Sequence, residues 1–385
     1  ISGYDVVLSS VGSTGTFATA NVGNGIAVTV AGYTISGADA ANYQLFQPSG
    51  ITANITRRGL TIAGLIANDK LYDGNTTATL GGSPVLVGVL GGDTVMLDGA
   101  ASTGSFLQSN VGADLRVNIG GFTIAGAQAG NYSLLQPTGL AANITEATIS
   151  LASVIKVYDS TTGLPTANSA YTLSGVVAGD TVFVNAAGIT GNYADKNVGT
   201  GKGVTVSGVA IGGADAANYT IATTATNQNI GIITPARLDV VGAVAQRKTY
   251  DRTTTAQIDN TNTALATVYA GDLVTLNLTS TGNFTNANAG ASKPVTATGY
   301  SISGADAGNY QLFQPVGLSA TIDPKQVFLI AVRRDYTGDV TLPTDASGYL
   351  FDGVIAGDTV SANLAGIGGA YADKNVAGSL SGTTV

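Results

Sequence analysis

A Gly-Asp-x-Val pattern occurs four times and places aspartates at Asp93, Asp180, Asp272 and Asp358. A carboxylate repeated in this way could ligate calcium, a hard cation that takes six to eight oxygen ligands. Two features weigh against that chemistry: no Asp-x-Asp-x-Asp cluster accompanies them, and the first copy of the pattern has Tyr4 in this place. The stronger reading is a side-chain oxygen that caps the N–H groups of a turn. A second pattern, Lys-x-Tyr-Asp, recurs as Lys70 with Tyr72 and Asp73, Lys156 with Tyr158 and Asp159, and Lys248 with Tyr250 and Asp251. Its fourth form has Arg334 and Tyr336. A lysine beside an acid suggests an isopeptide crosslink to an asparagine, but Arg334 cannot form that bond. Ion pairing along an exposed turn is favoured instead, and is worth little energy. A third pattern ends in Asn-Tyr and supplies Tyr43, Tyr132, Tyr219 and Tyr310. These rings read as core anchors whose hydroxyls bond backbone groups. An aromatic, Phe17, Phe106, Tyr193, Phe284 or Tyr371, precedes each Asn-rich turn and reads as the central core residue.

The elements that carry these residues repeat with a fixed period. Ile55, Ile144, Ile233 and Ile322 are 89 residues apart, as are Leu60, Ile149, Leu238 and Val327. A period of this length suits a whole small domain rather than a solenoid coil. Repeats are expected at 59–146, 147–235 and 236–324, with partial ones at 1–58 and 325–385. The sequence opens and stops mid-repeat, which reads as a window on a longer chain. Within 59–146, strands are expected at Gly59–Ile66, Val85–Val89, Thr94–Leu97, Leu115–Ile119, Phe122–Ile124, Tyr132–Leu135 and Leu140–Ile144, with one helical or 3₁₀ turn over Gly126–Tyr132. Six or seven short strands at this spacing predict an all-β fold of tandem small sandwich-like, Ig-like repeats. Pro235 and Pro324 stiffen two of the joints, so an elongated rod is expected. The interval from anchor to motif tyrosine is 12 in two copies (Leu60 to Tyr72, Leu238 to Tyr250) and 9 in the others (Ile149 to Tyr158, Val327 to Tyr336). Two subtypes therefore alternate.

Composition narrows the chemistry further. The 385 residues include 53 glycines, no cysteine and no histidine. Thiol catalysis and the usual general base are thereby excluded, and no residue set points to an enzyme or to a cofactor other than the calcium considered above. Net charge is −8, with no basic run longer than a pair, which disfavours nucleic acid. No apolar run reaches 18 residues, so no membrane insertion is expected in this segment. Asn-x-Ser/Thr sequons at Asn54, Asn75, Asn131, Asn143, Asn218, Asn277 and Asn283 leave glycosylation open.

Five motifs occur in order: Lys70–Gly74, Gly92–Val95, Asp195–Gly199, Gly304–Tyr310 and Gln314-Pro315. Together they resemble the YDG/MBG-type repeats of filamentous-haemagglutinin-like bacterial surface adhesins. Ser160 and Arg252 depart from the glycine of the Tyr-Asp-Gly turn. The resemblance implies an extracellular protein of the bacterial cell surface with no catalytic residues, whose tandem repeats form a stalk or fibre used in attachment or biofilm. Its partners are then neighbouring repeats of the same chain. The alternatives are a polysaccharide-binding repeat that contacts exopolysaccharide, or a subunit that assembles with identical chains into a filament.

Overall fold

In this computed structural model, residues 3, 5–222, 225–278 and 281–374 are described, and Tyr4 lies outside them. The fold is all-β, with tandem repeats whose sheets are barrel-like. The second copy shows the plan. Its strands are β1 (Arg58–Ala67), β2 (Lys70–Leu71), β3 (Thr77–Ala78), β4 (Leu80–Val87), β5 (Met96–Asp98), β6 (Thr103–Phe106), β7 (Gly112–Gly120), β8 (Thr123–Ala125), β9 (Tyr132–Leu134) and β10 (Ala141–Thr145). A single 3₁₀ turn, Ala129–Asn131, precedes β9.

These strands form a five-stranded sheet in the order β2-β10-β7-β6-β3, a three-stranded sheet β9-β1-β4 and the pair β5-β8. Two pairings are parallel, β9 with β1 and β10 with β2, and the others are antiparallel. The two edge strands of the larger sheet, β2 and β3, flank the Tyr72-Asp73-Gly74 turn, so one loop links the two edges. Alternation on β10 points Ala142 and Ile144 inward, where they join Tyr72, Ala78, Phe106 and Val117 in one core.

Two segments differ from the sequence reading for identifiable reasons. Strand β4 begins at Leu80 rather than Val85, because Gly64 at φ 75° bulges β1 and lets the Gly81-Gly82 pair approach it. Strand β5 begins at Met96 rather than Thr94, because the Thr94 N–H is taken by the Gln128 side chain at 2.8 Å. The same acceptor role falls to Asp39, Asp215 and Asp306 in the other copies. Glutamine replaces aspartate there because the bond needs an acceptor and not a charge.

The chain divides into two compact units, and the division runs through the third copy. One comprises Ile1–Ala152, Thr166–Ile189 and Ser207–Ala225; the other comprises Ser153–Pro165, Thr190–Val206 and Thr226–Val385. Strand Ala147–Val157 contributes to both. In the first unit, Ala147–Ile149 pair in parallel with Tyr219–Ile221. In the second, Val154–Val157 pair in parallel with Gly231–Thr234. Cores do not stop where the sequence repeat stops. Ile149 and Tyr219 of the third copy belong to the same cluster as Phe106 and Ile144 of the second.

Core packing follows the repeat down to single methyl groups. Positions Ala142, Gly231 and Ala320 are 89 residues apart, and face Phe106, Tyr193 and Phe284 respectively. Only the third copy combines glycine with tyrosine. A Cβ at Gly231 would lie 2.4 Å from Val204 Cγ2 and 2.7 Å from Tyr193 Cε1, while the Tyr193 hydroxyl donates to the Val154 carbonyl at 2.8 Å. Gly231→Ala is therefore expected to cost about 1–3 kcal/mol by overpacking. A denaturant titration of Gly231→Ala reads this cost, and a loss under about 0.5 kcal/mol would refute the close packing.

Candidate functional site

The recurring motif residues meet at the boundaries between copies. The Gly-Asp turn is closed by a backbone bond from Asp180 N–H to the Val177 carbonyl at 3.2 Å. Its carboxylate faces outward from that turn and accepts two phenols. Tyr72 of the preceding copy donates to Asp180 Oδ2 at 2.8 Å, and Tyr219 of the same copy donates at 2.5 Å. The two rings stand edge to face with centroids 5.3 Å apart. At the next boundary Tyr158 and Tyr310 both donate to Asp272 Oδ2 at 2.7 Å, with centroids 5.5 Å apart. At the following one Tyr250 donates to Asp358 at 3.1 Å. In the second copy Tyr132 donates to Asp93 at 2.5 Å. The four aspartates expected as turn caps or calcium ligands are instead acceptors for tyrosine, and in three of them one tyrosine comes from the preceding copy.

The Asn-Tyr tyrosines also accept from backbone. Leu90, Val177 and Tyr269 N–H groups donate to the hydroxyls of Tyr132, Tyr219 and Tyr310. Tyr43 of the first copy is 42% exposed and Tyr336 is 62% exposed, so neither ring sits in a core as the other motif tyrosines do.

A second clasp lies beside the first. Asn218 Oδ1 accepts the Val111 N–H at 3.0 Å, and its amide donates to Asn110 Oδ1 at 3.3 Å. Asn131 makes the same two bonds to Val22 and Asn21, and Asn309 to Val198 and Asn197. The sequence reading noted both motifs and missed that they pair. Asn218 is 5% exposed, so its sequon is closed to glycan attachment in the folded chain.

Among the motif lysines Lys156 is buried, and Lys70 and Lys248 are partly buried, each paired with an exposed aspartate side chain. The Lys156 side chain is 5% exposed and that of its partner Asp159 is 45% exposed. Its ammonium donates to Asp159 at 2.7 Å, to the Thr161 and Gly163 carbonyls at 2.8 and 3.0 Å, and lies over the Tyr193 ring. Lys70 and Lys248 close their turns on Asp73 and Asp251 in the same way. The cation thus ties the turn that flanks both sheet edges, satisfying carbonyls of that turn. Hydrogen bonds from Lys248 and the Thr253 N–H hold the Asp251 carboxyl down to about 2. Asn75 Oδ1 is 3.1 Å from the Lys70 ammonium, but threonines occupy that place in the next two copies, which offers no amide for a repeated isopeptide bond.

The electrostatics of the clasp set a pH window. Burial, and then the bond to the Asp180 carboxylate, push Tyr72 and Tyr219 up to about 12. Burial and the bond to Asp272 do the same to Tyr310. Burial raises the Asp272 carboxyl, and the bonds from Lys196, Tyr310 and Tyr158 outweigh it, leaving it below its ordinary 3.8. For the tyrosines, the stabilisation is full below an unfolded value near 10 and is lost as pH rises towards about 12. For Asp272, it is full above 3.8 and is lost as pH falls below it. Stability is therefore expected to be flat between these limits. Absorbance titration should show a late-ionising class of tyrosines whose ionisation coincides with unfolding. Titration of all tyrosines together near 10 would contradict the clasp.

Among the described residues no group of three metal-binding side chains converges, and no helix is long and apolar enough to cross a membrane. Two open recesses, of about 290 and 540 Å³, are bounded by residues such as Thr61, Gln136 and Pro137, and Thr77, Ser102 and Gly104; neither is lined by a titratable group. What the motif residues do chemically is hold one copy to the next.

A family described as YDG domain matches residues 1–52, 56–139, 143–226 and 234–317, which together exceed half of the chain. No curated protein and no solved structure matches it.

Proposed function

From the premise that the chain belongs to the YDG domain family, we propose that it is a non-enzymatic structural segment, a stalk or fibre portion of a large secreted bacterial surface adhesin. The observation that carries this reading is the repeated clasp. Tyr-Asp-Tyr and Asn-Asn contacts engage neighbouring copies at successive boundaries, and none of these side chains lines either recess. Such a chain spends its polar residues on copy-to-copy contact, which suits transmission of load along a filamentous protein better than recognition of a ligand. The sequence has no cysteine, so no disulfide adds to the backbone connection and these non-covalent ties between copies. The setting proposed is the outer face of a bacterial cell, where the segment holds an adhesive part away from the envelope during attachment or biofilm growth.

Small-angle scattering tests the mechanical half of the proposal. The expected result is a distance distribution with a long tail, characteristic of an elongated particle. A symmetric distribution, as from a sphere of 38.2 kDa, would overturn it. Retention of the purified chain on exopolysaccharide would move the assignment to a binding module.

A further inference from the structure

The copy boundaries share one plan but differ in how the clasp carboxylate is compensated. Two positions on the docking copy decide this: the third residue of the Tyr-Asp turn, and the residue before the Asn-Val or Asn-Ala step. Between the second and third copies these are Gly74 and Ser109, and neither is a cation. Gly74 fits closely, since a Cβ there would lie 3.0 Å from Val177 Cγ1.

Between the third and fourth they are Ser160 and Lys196. The Lys196 ammonium sits 2.6 Å from Asp272 Oδ1 and 3.5 Å from Asp306 Oδ1. It also lies 5.9 Å from the Tyr158 ring centroid. Tyr269 replaces Val177 in the receiving copy and packs edge to face on Tyr158 at 5.9 Å.

Between the fourth and fifth they are Arg252 and Ala287. Here the cation comes from the other turn. Arg252 Nε is 3.0 Å from Asp358 Oδ1, and Nη1 donates to the Ala356 carbonyl at 2.6 Å. Gly357 leaves the space, because a Cβ there would fall 2.0 Å from Nη1. Arg252 holds φ +66°, a conformation glycine adopts more readily, so its side chain is retained against a backbone cost.

We propose that Lys196 and Arg252 are docking keys that specify which copy packs on which, the partner of each being the leading face of the next copy in the chain. The need arises from likeness. Gly37–Phe46 and Gly304–Phe313 differ at one position in ten, so nearly the same clasp could form between copies that are not neighbours, or between two chains. Charge discriminates. The second copy docked on the fourth would leave the Asp272 side chain, 1% exposed, and Asp306 without a cation. The second docked on the fifth would likewise leave Asp358 without the cation that Arg252 supplies. Each cation thus favours its own boundary over docking by the second copy, and specificity is that difference. This inference stands on the boundary geometry and holds whether or not the protein is a stalk.

The test refolds the whole chain from urea over a range of concentrations and measures chain-swapped dimers by size exclusion with light scattering. Lys196→Ser and Arg252→Gly should each raise the swapped fraction by about fivefold or more, since a modest change in relative affinity suffices for that ratio. Lys202→Ser removes an ion pair with Asp195 inside one copy and should leave the fraction unchanged. Should Lys196→Ser fail to refold, Arg252→Gly carries the test, because glycine is the native residue of that turn in the second copy. A wild-type swapped fraction in Arg252→Gly overturns the proposal. So does an equal rise in Lys202→Ser, or failure of Arg252→Gly to refold, because a key narrows the choice between dockings without being needed for folding.

Discussion

Replacing Asp272 by alanine is expected to lower the unfolding free energy of the unit that carries it by about 3 kcal/mol. The substitution removes the acceptor of three donors at once, the hydroxyls of Tyr158 and Tyr310 and the ammonium of Lys196. Tyr158 is fully buried and Tyr310 is 6% exposed, so neither hydroxyl can turn freely to water. Removing one member of a buried ionic group costs about 3–5 kcal/mol, and the lower end applies because Lys196 is 35% exposed and rehydrates in part. Asp272→Asn should cost less, since the amide oxygen still accepts a hydroxyl while the charge is gone. The chain has no tryptophan, so circular dichroism or tyrosine fluorescence in a urea titration serves as the probe. A loss under about 0.5 kcal/mol for alanine, within the range of an ordinary surface substitution, would reduce the clasp to decoration.

How far these contacts were legible in the sequence depends on the distance they span. The all-β fold, the turns and the inward faces follow from local signals. Alternation around Leu60 and Ile144, and the Gly-rich turns, place β1, β7 and β10 within a few residues. Short edge strands such as Lys70–Leu71 and Thr77–Ala78 escaped, because two residues carry no periodicity. The clasp was invisible for a different reason. Tyr72 and Asp180 are 108 residues apart, and Tyr158 and Asp272 are 114 apart. Since every full copy contains both motifs, a per-copy reading pairs Tyr72 with Asp93, whereas Asp93 is taken by Tyr132. Periodicity hides partner choice by making every copy look self-sufficient. The usable signal was local substitution: Lys196 and Arg252 stand where the second copy has serine and glycine, and each cation meets the clasp aspartate of the following copy.

The buried and partly buried lysines correct the sequence reading in the same spirit. A Lys-x-x-Asp pair on a turn is ordinarily a solvated ion pair. Here the turn between β2 and β3 leaves carbonyls such as that of Asn75 to the lysine, while the Thr76 carbonyl takes the Phe106 N–H. The ammonium meets that need, and the aspartate neutralises it at the surface. Arg334 does the same with Asp339 and Thr341, which is why arginine is tolerated in the fourth form of the motif.

A fragment cut at the sequence repeat, residues 59–146, is expected to show no cooperative unfolding transition, whereas residues 59–234 should show one. The core of the second copy is finished by Ile149 and Tyr219, with Leu173, Val177 and Ile211 packed against it, and all five come from the third copy. Cutting at residue 146 exposes the Tyr72 ring, which is 6% exposed in the intact chain, and leaves its hydroxyl without Asp180. It also releases Asn110 and the Val111 N–H from Asn218. A unit of about 90 residues has little margin to absorb such losses, because small domains bury only about three-fifths of their surface. In a chain stabilised by neighbour contacts, the single copy can be unstable while the pair is folded, and each added copy then contributes one more interface. Independent beads on a thread would behave otherwise, with the same midpoint for one copy as for two. Equal urea midpoints for 59–146 and 59–234 would therefore sink the shared-core account and restore the bead. The expected ordering places the folding unit across the repeat boundary. Ile144, one of the isoleucines spaced by 89 residues, lies in this shared core, where the second copy is handed on to the third.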